Sequence, residues 1–201
     1  MPGLKKLTRD FYTRSNTLLV ARELLGKLLV VPTIEGERVS GIIVETEAYH
    51  GPRDKASHAY AHRRTPRTES MYGMGGTVYV YFIYGMYYQF NVVTHIEGEP
   101  SAVLIRALEP QEGLDVMRLR RPVKPEKNLT NGPGKLCKAL GIDRRLDRAS
   151  LLGDEVWIEE GQSIRPRQIA TGPRIGLGNA EEYLSKPWRF WIRDNPYVSR
   201  Q

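Results

Sequence analysis

Cysteine is almost missing. The 201-residue chain has one, Cys137, so it can form no internal disulfide and no cysteine-rich zinc site. Histidine is scarce too: four, at positions 50, 58, 62 and 95, with no spacing like H-E-x-x-H, which argues against a metal-dependent enzyme. No stretch approaches the ~20 apolar residues that cross a bilayer. The best run near the N-terminus, Leu24 to Val31, is broken by Gly26 and Lys27. The start, Met1-Pro2-Gly3-Leu4-Lys5-Lys6, does not have the long apolar segment of a secretory signal. Internal repeats and low-complexity tracts are absent. These absences predict an intracellular monomer that needs neither cofactor nor metal. They also predict one domain over residues 1–201, with 1–10 loosely ordered.

Positive charge is what the chain has in excess. Thirty Lys and Arg against 23 Asp and Glu give a formal charge of +7, which favours a polyanionic partner. The excess is concentrated. Met117 to Arg148 holds ten basic and three acidic residues, as much net charge as the whole chain. Arg53 to Arg67 holds five basic residues against Asp54. Either stretch alone could be a solvated loop.

Ser15 or Asn16 can cap a helix that presents Leu18, Ala21 and Leu25, with Gly26 as its stop. Leu28 to Val31 and Val39 to Tyr49 read as strands around a turn at Glu35-Gly36-Glu37. Residues His50 to Gly76 are long and irregular, as functional loops often are. Thr77 to Thr94 is the most β-prone segment, with a hairpin turn at Tyr84-Gly85. Ala102 to Ala107 is a further strand and Glu112 to Arg120 a helix. Asn131-Gly132-Pro133 opens a helix that runs to Leu140 and stops at Gly141. Glu155 to Glu159 and Arg189 to Arg193 are late strands. The elements do not alternate as βαβ units, so the expected class is α+β with a largely antiparallel sheet.

Two segments carry candidate chemistry. Alternation along the first strand pair puts Ile43, Glu45, Glu47 and Tyr49 on one face and Ile42, Val44, Thr46 and Ala48 on the core face. The first set could be a solvent face, or a general-base carboxylate under an aromatic shelf. Thr77 to Asn91 holds five of the eleven tyrosines, with Tyr79 and Tyr81 on one face and Val80, Phe82 and Tyr84 on the other. Tyrosine gives a flat ring with a polar tip, suited to stacking on a base. An aromatic wedge could also fill the gap left by a flipped nucleotide. From the residues alone, a generic nucleic-acid binder and a base-excision enzyme both remain open.

Ile43-Val44-Glu45-Thr46-Glu47-Ala48-Tyr49 with Gly51-Pro52 and His58 resembles the alkyladenine (3-methyladenine) DNA glycosylase family. So do Thr65-Pro66-Arg67, Gly76 to Tyr81, Tyr84-Gly85-Met86, Leu104 to Pro110, Gly132 to Cys137 and Pro187 to Phe190, in order from about Phe11 to Ser199. The resemblance implies a single mixed domain around a curved antiparallel sheet, with a protruding hairpin that enters the minor groove of double-stranded DNA. It implies a DNA-associated, monofunctional enzyme that excises alkylated or deaminated purines and leaves an abasic site. Carried over by position, Glu47 would orient and deprotonate water, and Arg106 would help place that water and the flipped nucleotide's phosphate. Tyr49 and His58 on one side and Tyr81 on the other would sandwich the base. Asn91 would screen the guanine amino group, and Tyr84 would intercalate. Arg67 and Lys135 would hold backbone phosphates.

Some features fall outside the resemblance. The stretch from Arg120 to Asn131 departs from the family pattern, and His50 and His62 take no role from it. Glu45 reads as structural, and Trp157, Trp188 and Trp191 read as core. Three rivals were weighed. Gly172 to Ala180 faintly resembles the Gly-rich turn of a helix-hairpin-helix glycosylase with Asp194 downstream. A non-enzymatic DNA-damage or RNA-binding module would use the same basic surface and tyrosines without needing Glu47. A lyase would need a lysine nucleophile, and none lies on the carboxylate strand or the hairpin.

Overall fold

The architecture hangs on two 12-residue strands that lie antiparallel. In the computed structural model, which describes residues 4–178 and 180–200, the described strands are β1 (Leu28–Pro32), β2 (Arg38–Tyr49), β3 (Val78–Ile83), β4 (Tyr87–Thr94), β5 (Ser101–Glu112), β6 (Trp157–Glu159), β7 (Ile169–Gly172) and β8 (Arg189–Ile192). The helices are α1 (Arg9–Tyr12), α2 (Thr17–Glu23), α3 (Leu114–Arg120) and α4 (Pro133–Leu140). Every strand pair is antiparallel, in the order β3-β4-β5-β2-β1-β6. The long strand β2 has β5 along one edge. On its other edge β1 covers residues 38–42 and β8 covers 45–47. The fold is the expected α+β class, one curled antiparallel sheet with helices packed against it.

The handover from β1 to β8 coincides with a break in register. Ile43 pairs with Leu108 and Glu45 with Ala107, so Val44 is extra on β2; Thr46 then pairs with Ile105, so Arg106 is extra on β5. Bulges re-aim side chains, and this pair corrects the expected alternation. Ile43 does not share the carboxylate face but is fully buried in the main core with Val44 and Ala48. Ile42 packs against both the main core and the smaller cluster of Leu28, Val30 and Trp157. Beyond the bulges the alternation is regular. Thr46, Ala48, Val103, Ile105, Val92 and Phe90 face the core, and Glu47, Tyr49, Leu104 and Asn91 face the other way.

Helices form where caps and faces agree. The Asn16 side chain accepts the Leu19 N–H at 3.0 Å at the start of α2, whose Val20 and Ala21 are fully buried. Helix α4 has the expected bounds, with Pro133 at its first position and Gly141 left-handed at its end. Its Leu136, Cys137, Ala139 and Leu140 pack into the main core, which also takes in Phe90. Burying a ring of that size contributes roughly 1.5–3 kcal/mol.

Residues 1–3 lie outside the described residues; the segment that follows meets the sheet. Lys6 bridges Glu159, Leu7 N–H donates to Ile158 O at 2.8 Å, and Leu7 is buried. Residues 172–178 form no helical hairpin but lead out of β7 as an irregular strap, with Asn179 outside the described residues. Trp188 is half-buried and stacks on an arginine rather than filling the core.

Candidate active site

The face of the sheet opposite the core forms the floor of a cleft of about 570 Å³. Two walls rise from it. One is the 50–72 segment, built from short 3-10 turns; the other is the β3–β4 hairpin. The strap after β7 closes a third side through Ile175, Gly176 and Leu177.

Glu47 lies beneath the cleft, fully buried. Its Oε1 accepts the Ile175 N–H at 2.7 Å and sits 3.2 Å from Arg106 Nη1; its Oε2 accepts the Tyr49 hydroxyl at 2.9 Å. Burial raises its pKa above the ordinary carboxyl value, opposed by Arg106, the Ile175 N–H and the Tyr49 hydroxyl. Burial likewise pushes the Tyr49 hydroxyl well up, so Tyr49 stays a donor to the carboxylate.

Arg106, 6% exposed, links the two carboxylates by donating from Nε to Glu45 at 2.9 Å. Glu45 also accepts from Arg189 Nη1 at 3.2 Å, from Ser199 Oγ at 3.0 Å and from Ser199 N–H at 2.7 Å. The two charged pairs therefore neutralise each other inside the protein, which burial of four ionised groups requires.

Tyr49, His58, Arg67, Tyr81, Tyr84, Asn91 and Arg106 all line this cleft. Two named residues do not. Glu47 is buried and touches the lining residues Tyr49, Arg106 and Ile175. The other is Lys135. It sits in the first turn of α4, whose Pro133 touches the rim, and its ammonium donates to Asn131 at 2.8 Å.

The rings are not arranged as the resemblance implies. His58 lies edge-on to Tyr81, with centroids 4.7 Å apart, and its Nδ1 is 2.9 Å from the Tyr79 hydroxyl. A base cannot lie between His58 and Tyr81 while those rings touch. Arg67, expected on backbone phosphate, places its guanidinium 4.9 Å from the Tyr81 ring centroid. Asn91 donates to the carbonyls of Tyr79 and Gln89, at 3.1 and 3.4 Å, which fixes its amide on the floor. Burial, then Arg67 and Arg63, lowers the His58 pKa to about 4, so the ring is neutral at pH 7.

Tyr84 stands at the hairpin tip, 73% exposed. It and Gly85 both have positive φ, and Met86 N–H closes the turn on Ile83 O at 3.3 Å, the geometry that keeps a hairpin tight. Phe82 and Met86 are exposed beside it. The basic stretches are less free than their composition implies. Arg64 pairs with Glu69, Arg118 with Asp115 and Glu126, and Arg145 with Asp143.

Sequence reasoning missed two parts of the cleft. Gln89 accepts the Tyr81 hydroxyl at 2.8 Å, and its place opposite Tyr81 in the hairpin register was readable. The strap at 173–178 gave no such signal, because its contact with Glu47 spans 128 residues of sequence. Among the described residues, no three His, Cys, Asp or Glu side chains are grouped as metal ligands.

The chain is similar to proteins that carry a name. A protein of Desulfitobacterium hafniense named "Putative 3-methyladenine DNA glycosylase" is 51% identical over 204 residues, covering 98% of this chain and 99% of its own. Proteins of the same name from Clostridium acetobutylicum and Bacillus cytotoxicus are 52% and 51% identical, covering 96% and 97% of this chain. The family model described as methylpurine-DNA glycosylase matches residues 10–196. The chain belongs to the methylpurine-DNA glycosylase family.

Proposed function

We propose that the protein is a monofunctional DNA glycosylase that flips alkylated or deaminated purines, of the 3-methyladenine and hypoxanthine type, out of duplex DNA and hydrolyses their glycosidic bond. The observation that carries this reading is a fully buried carboxylate, Glu47, held by three residues that line a tyrosine-rich cleft: Tyr49, Arg106 and Ile175. A surface that only bound DNA would gain nothing from a negative charge there, next to phosphate.

The chemistry follows from that placement. Water adds its oxygen to C1′ of the flipped nucleotide and gives its proton to Glu47. The C1′–N bond breaks and its electron pair leaves with the purine. Positive charge grows on the sugar, and a fixed carboxylate in a dry site stabilises it. Arg106 holds Glu47 from below. Tyr49 and Tyr81 offer ring faces for the base, and His58 swings away from Tyr81 or stays as an edge. Tyr84 enters the minor groove and fills the gap in the stack. Arg67 and Lys135 meet the backbone. Protonation or alkylation of the purine improves the leaving group, but neutral His58 does not supply a proton at pH 7. Lys55 at the rim is paired with Glu181 and Glu182, which raises its pKa and keeps it protonated. That supports water as the nucleophile over a lysine.

The test is a labelled duplex with one hypoxanthine, and a parallel one with 3-methyladenine, incubated without added metal and treated with alkali. Wild type is expected to produce strand breaks at the lesion. Glu47→Gln should be slower by on the order of 10²–10⁴-fold, the usual worth of a general base, with lesion binding retained. Cleavage undiminished in Glu47→Gln would remove Glu47 from the mechanism. Tight lesion binding without cleavage by wild type would favour the binding module. A covalent protein–DNA adduct trapped by borohydride would favour a lyase.

A further inference from the structure

The strap after β7 carries a charge that the chemistry above does not use. Arg174 is 5% exposed and forms an ion pair with Asp54 in which both side chains are fully buried. Nη2 donates to Asp54 Oδ1 at 2.9 Å, and Nη1 to Asp54 Oδ2 at 2.5 Å and to the Ala48 carbonyl at 2.9 Å. The guanidinium lies between two rings, 4.7 Å from the Tyr49 centroid and 5.0 Å from that of Trp188. Its Nε has no partner among the described residues.

Each contact ends on a part of the cleft. Ala48 and Tyr49 are the end of β2, which bears Glu47. Asp54 accepts the backbone N–H of His50 at 3.1 Å and of Ala56 at 3.0 Å, fixing the turn that leads to His58. The residue after Arg174 is Ile175, whose N–H donates to Glu47.

We propose that Arg174, clamped by Asp54, is the positioning residue of this site: it fixes the Tyr49 ring and, through Ile175, the carboxylate of Glu47. The inference rests on the glycosylase reading only for its kinetic test. A fully buried ion pair adds little or nothing to net stability compared with apolar residues of equal volume. Here it joins the end of β2, the 50–57 turn and the strap. A guanidinium suits the task because it can stack on a ring and make two parallel bonds to a carboxylate at once; lysine cannot.

The consequence is specific. Groups facing Glu47 are Arg106 on β5, Tyr49 and Glu45 on β2, Tyr81 on β3 and the Ile175 N–H on the strap. Arg189 on β8 reaches it only through Glu45. Without the clamp, two of its hydrogen-bond donors, the Tyr49 hydroxyl and the Ile175 N–H, lose their fixed positions. Both favour the ionised form, so Glu47 should then ionise at higher pH. One hydrogen bond to a charged group is worth about one to two pH units.

Two variants separate positioning from folding. Arg174→Lys keeps the charge. The double variant Arg174→Met with Asp54→Asn removes both charges, leaving no orphaned ion. In each, the titration midpoint of the Glu47 side chain, read by ¹³C NMR with Glu47→Gln for assignment, is expected to rise by about one to two units. The acid limb of single-turnover excision should move with it. Well down the acid limb, excision at a given pH should fall by about tenfold or more, and it should recover towards wild type as pH rises. Affinity for undamaged DNA should stay unchanged, because Arg174 is buried. An unmoved Glu47 midpoint in both variants would overturn the proposal, whatever happens to the melting temperature. The carboxyl titration gives its answer even if wild type excises nothing, so failure of the glycosylase reading and failure of the clamp are distinguishable.

Discussion

Lowering the pH should unfold this protein partly through one cleft residue. Burial, helped by Arg67 and Arg63, lowers the His58 pKa from 6.5 to about 4. The unfolded chain therefore takes up a proton at His58 that the folded chain refuses. The sign follows from linkage: between these two values the unfolded state binds more protons, so stability rises with pH. The contribution is complete above pH 6.5 and disappears as pH falls towards 4. About 2.5 pH units separate the two values, which is about 3 kcal/mol at 1.36 kcal/mol per unit. For a chain of this length that is roughly 6–12 °C in Tm. Other groups titrate as well. Lowered carboxyl pKa values at Glu159 and Asp143 act in the same direction, and the raised value at Glu47 opposes them. A His58→Gln variant isolates the histidine, since Gln can still accept the Tyr79 hydroxyl that lies 2.9 Å from His58 Nδ1. Urea unfolding of both proteins at pH 7.5 and pH 4.5 would give the comparison. Wild type should lose about 2–3 kcal/mol more than the variant over that interval. Equal losses would refute the claim that His58 is held neutral. It would then be free to act as a proton donor near pH 6, and its exclusion from that role would fall.

Two further outcomes follow from exposure and pairing. Tyr84→Ala should leave stability within about 0.5 kcal/mol, as a surface change does, yet lower the 2-aminopurine signal of a flipped base. Tyr79→Ala should do the reverse, because that ring is 2% exposed; equal effects on the fluorescence would argue against Tyr84 as the wedge. DNA affinity should fall with salt with a slope of about −0.9 per phosphate contacted. Arg67→Gln and Lys135→Gln should each flatten the slope by about one unit, whereas Arg145→Gln should not, its charge being neutralised by Asp143. A flat salt dependence in wild type would reject the basic-footprint argument.

Local chemistry was legible in the sequence wherever a local rule decided the outcome. The bounds of α4 follow from Pro133 and Gly141, the cap of α2 from Asn16, and the faces of β3 from strict alternation. The same rule failed at Val44 and Arg106, because a bulge shifts alternation by one and leaves no mark in composition. Strand β7 was missed because Ile169–Gly172 is short and ends at Gly172-Pro173. The strap was missed for a related reason: its partner Glu47 lies 128 residues away in sequence. Charge counting overstated the basic surface, since composition does not reveal which arginines are already paired.

The two carboxylates of β2 show why burial alone does not identify a catalytic group. Both are fully buried, two residues apart on one face, and both touch Arg106. Glu45 takes four hydrogen bonds: Arg106, Arg189 and the Ser199 hydroxyl converge on Oε1, while the Ser199 N–H takes Oε2. Those partners come from β5, β8 and the C-terminal segment, so Glu45 is a junction of the fold. Glu47 has two partners on Oε1 and, on Oε2, the Tyr49 hydroxyl. All three of its partners line the cleft, whereas of the partners of Glu45 Arg106 alone does. Glu45 serves by neutralising Arg106, so that the arginine can support Glu47 without drawing its charge away. Removing Glu45 would thus disturb Glu47 indirectly, through Arg106.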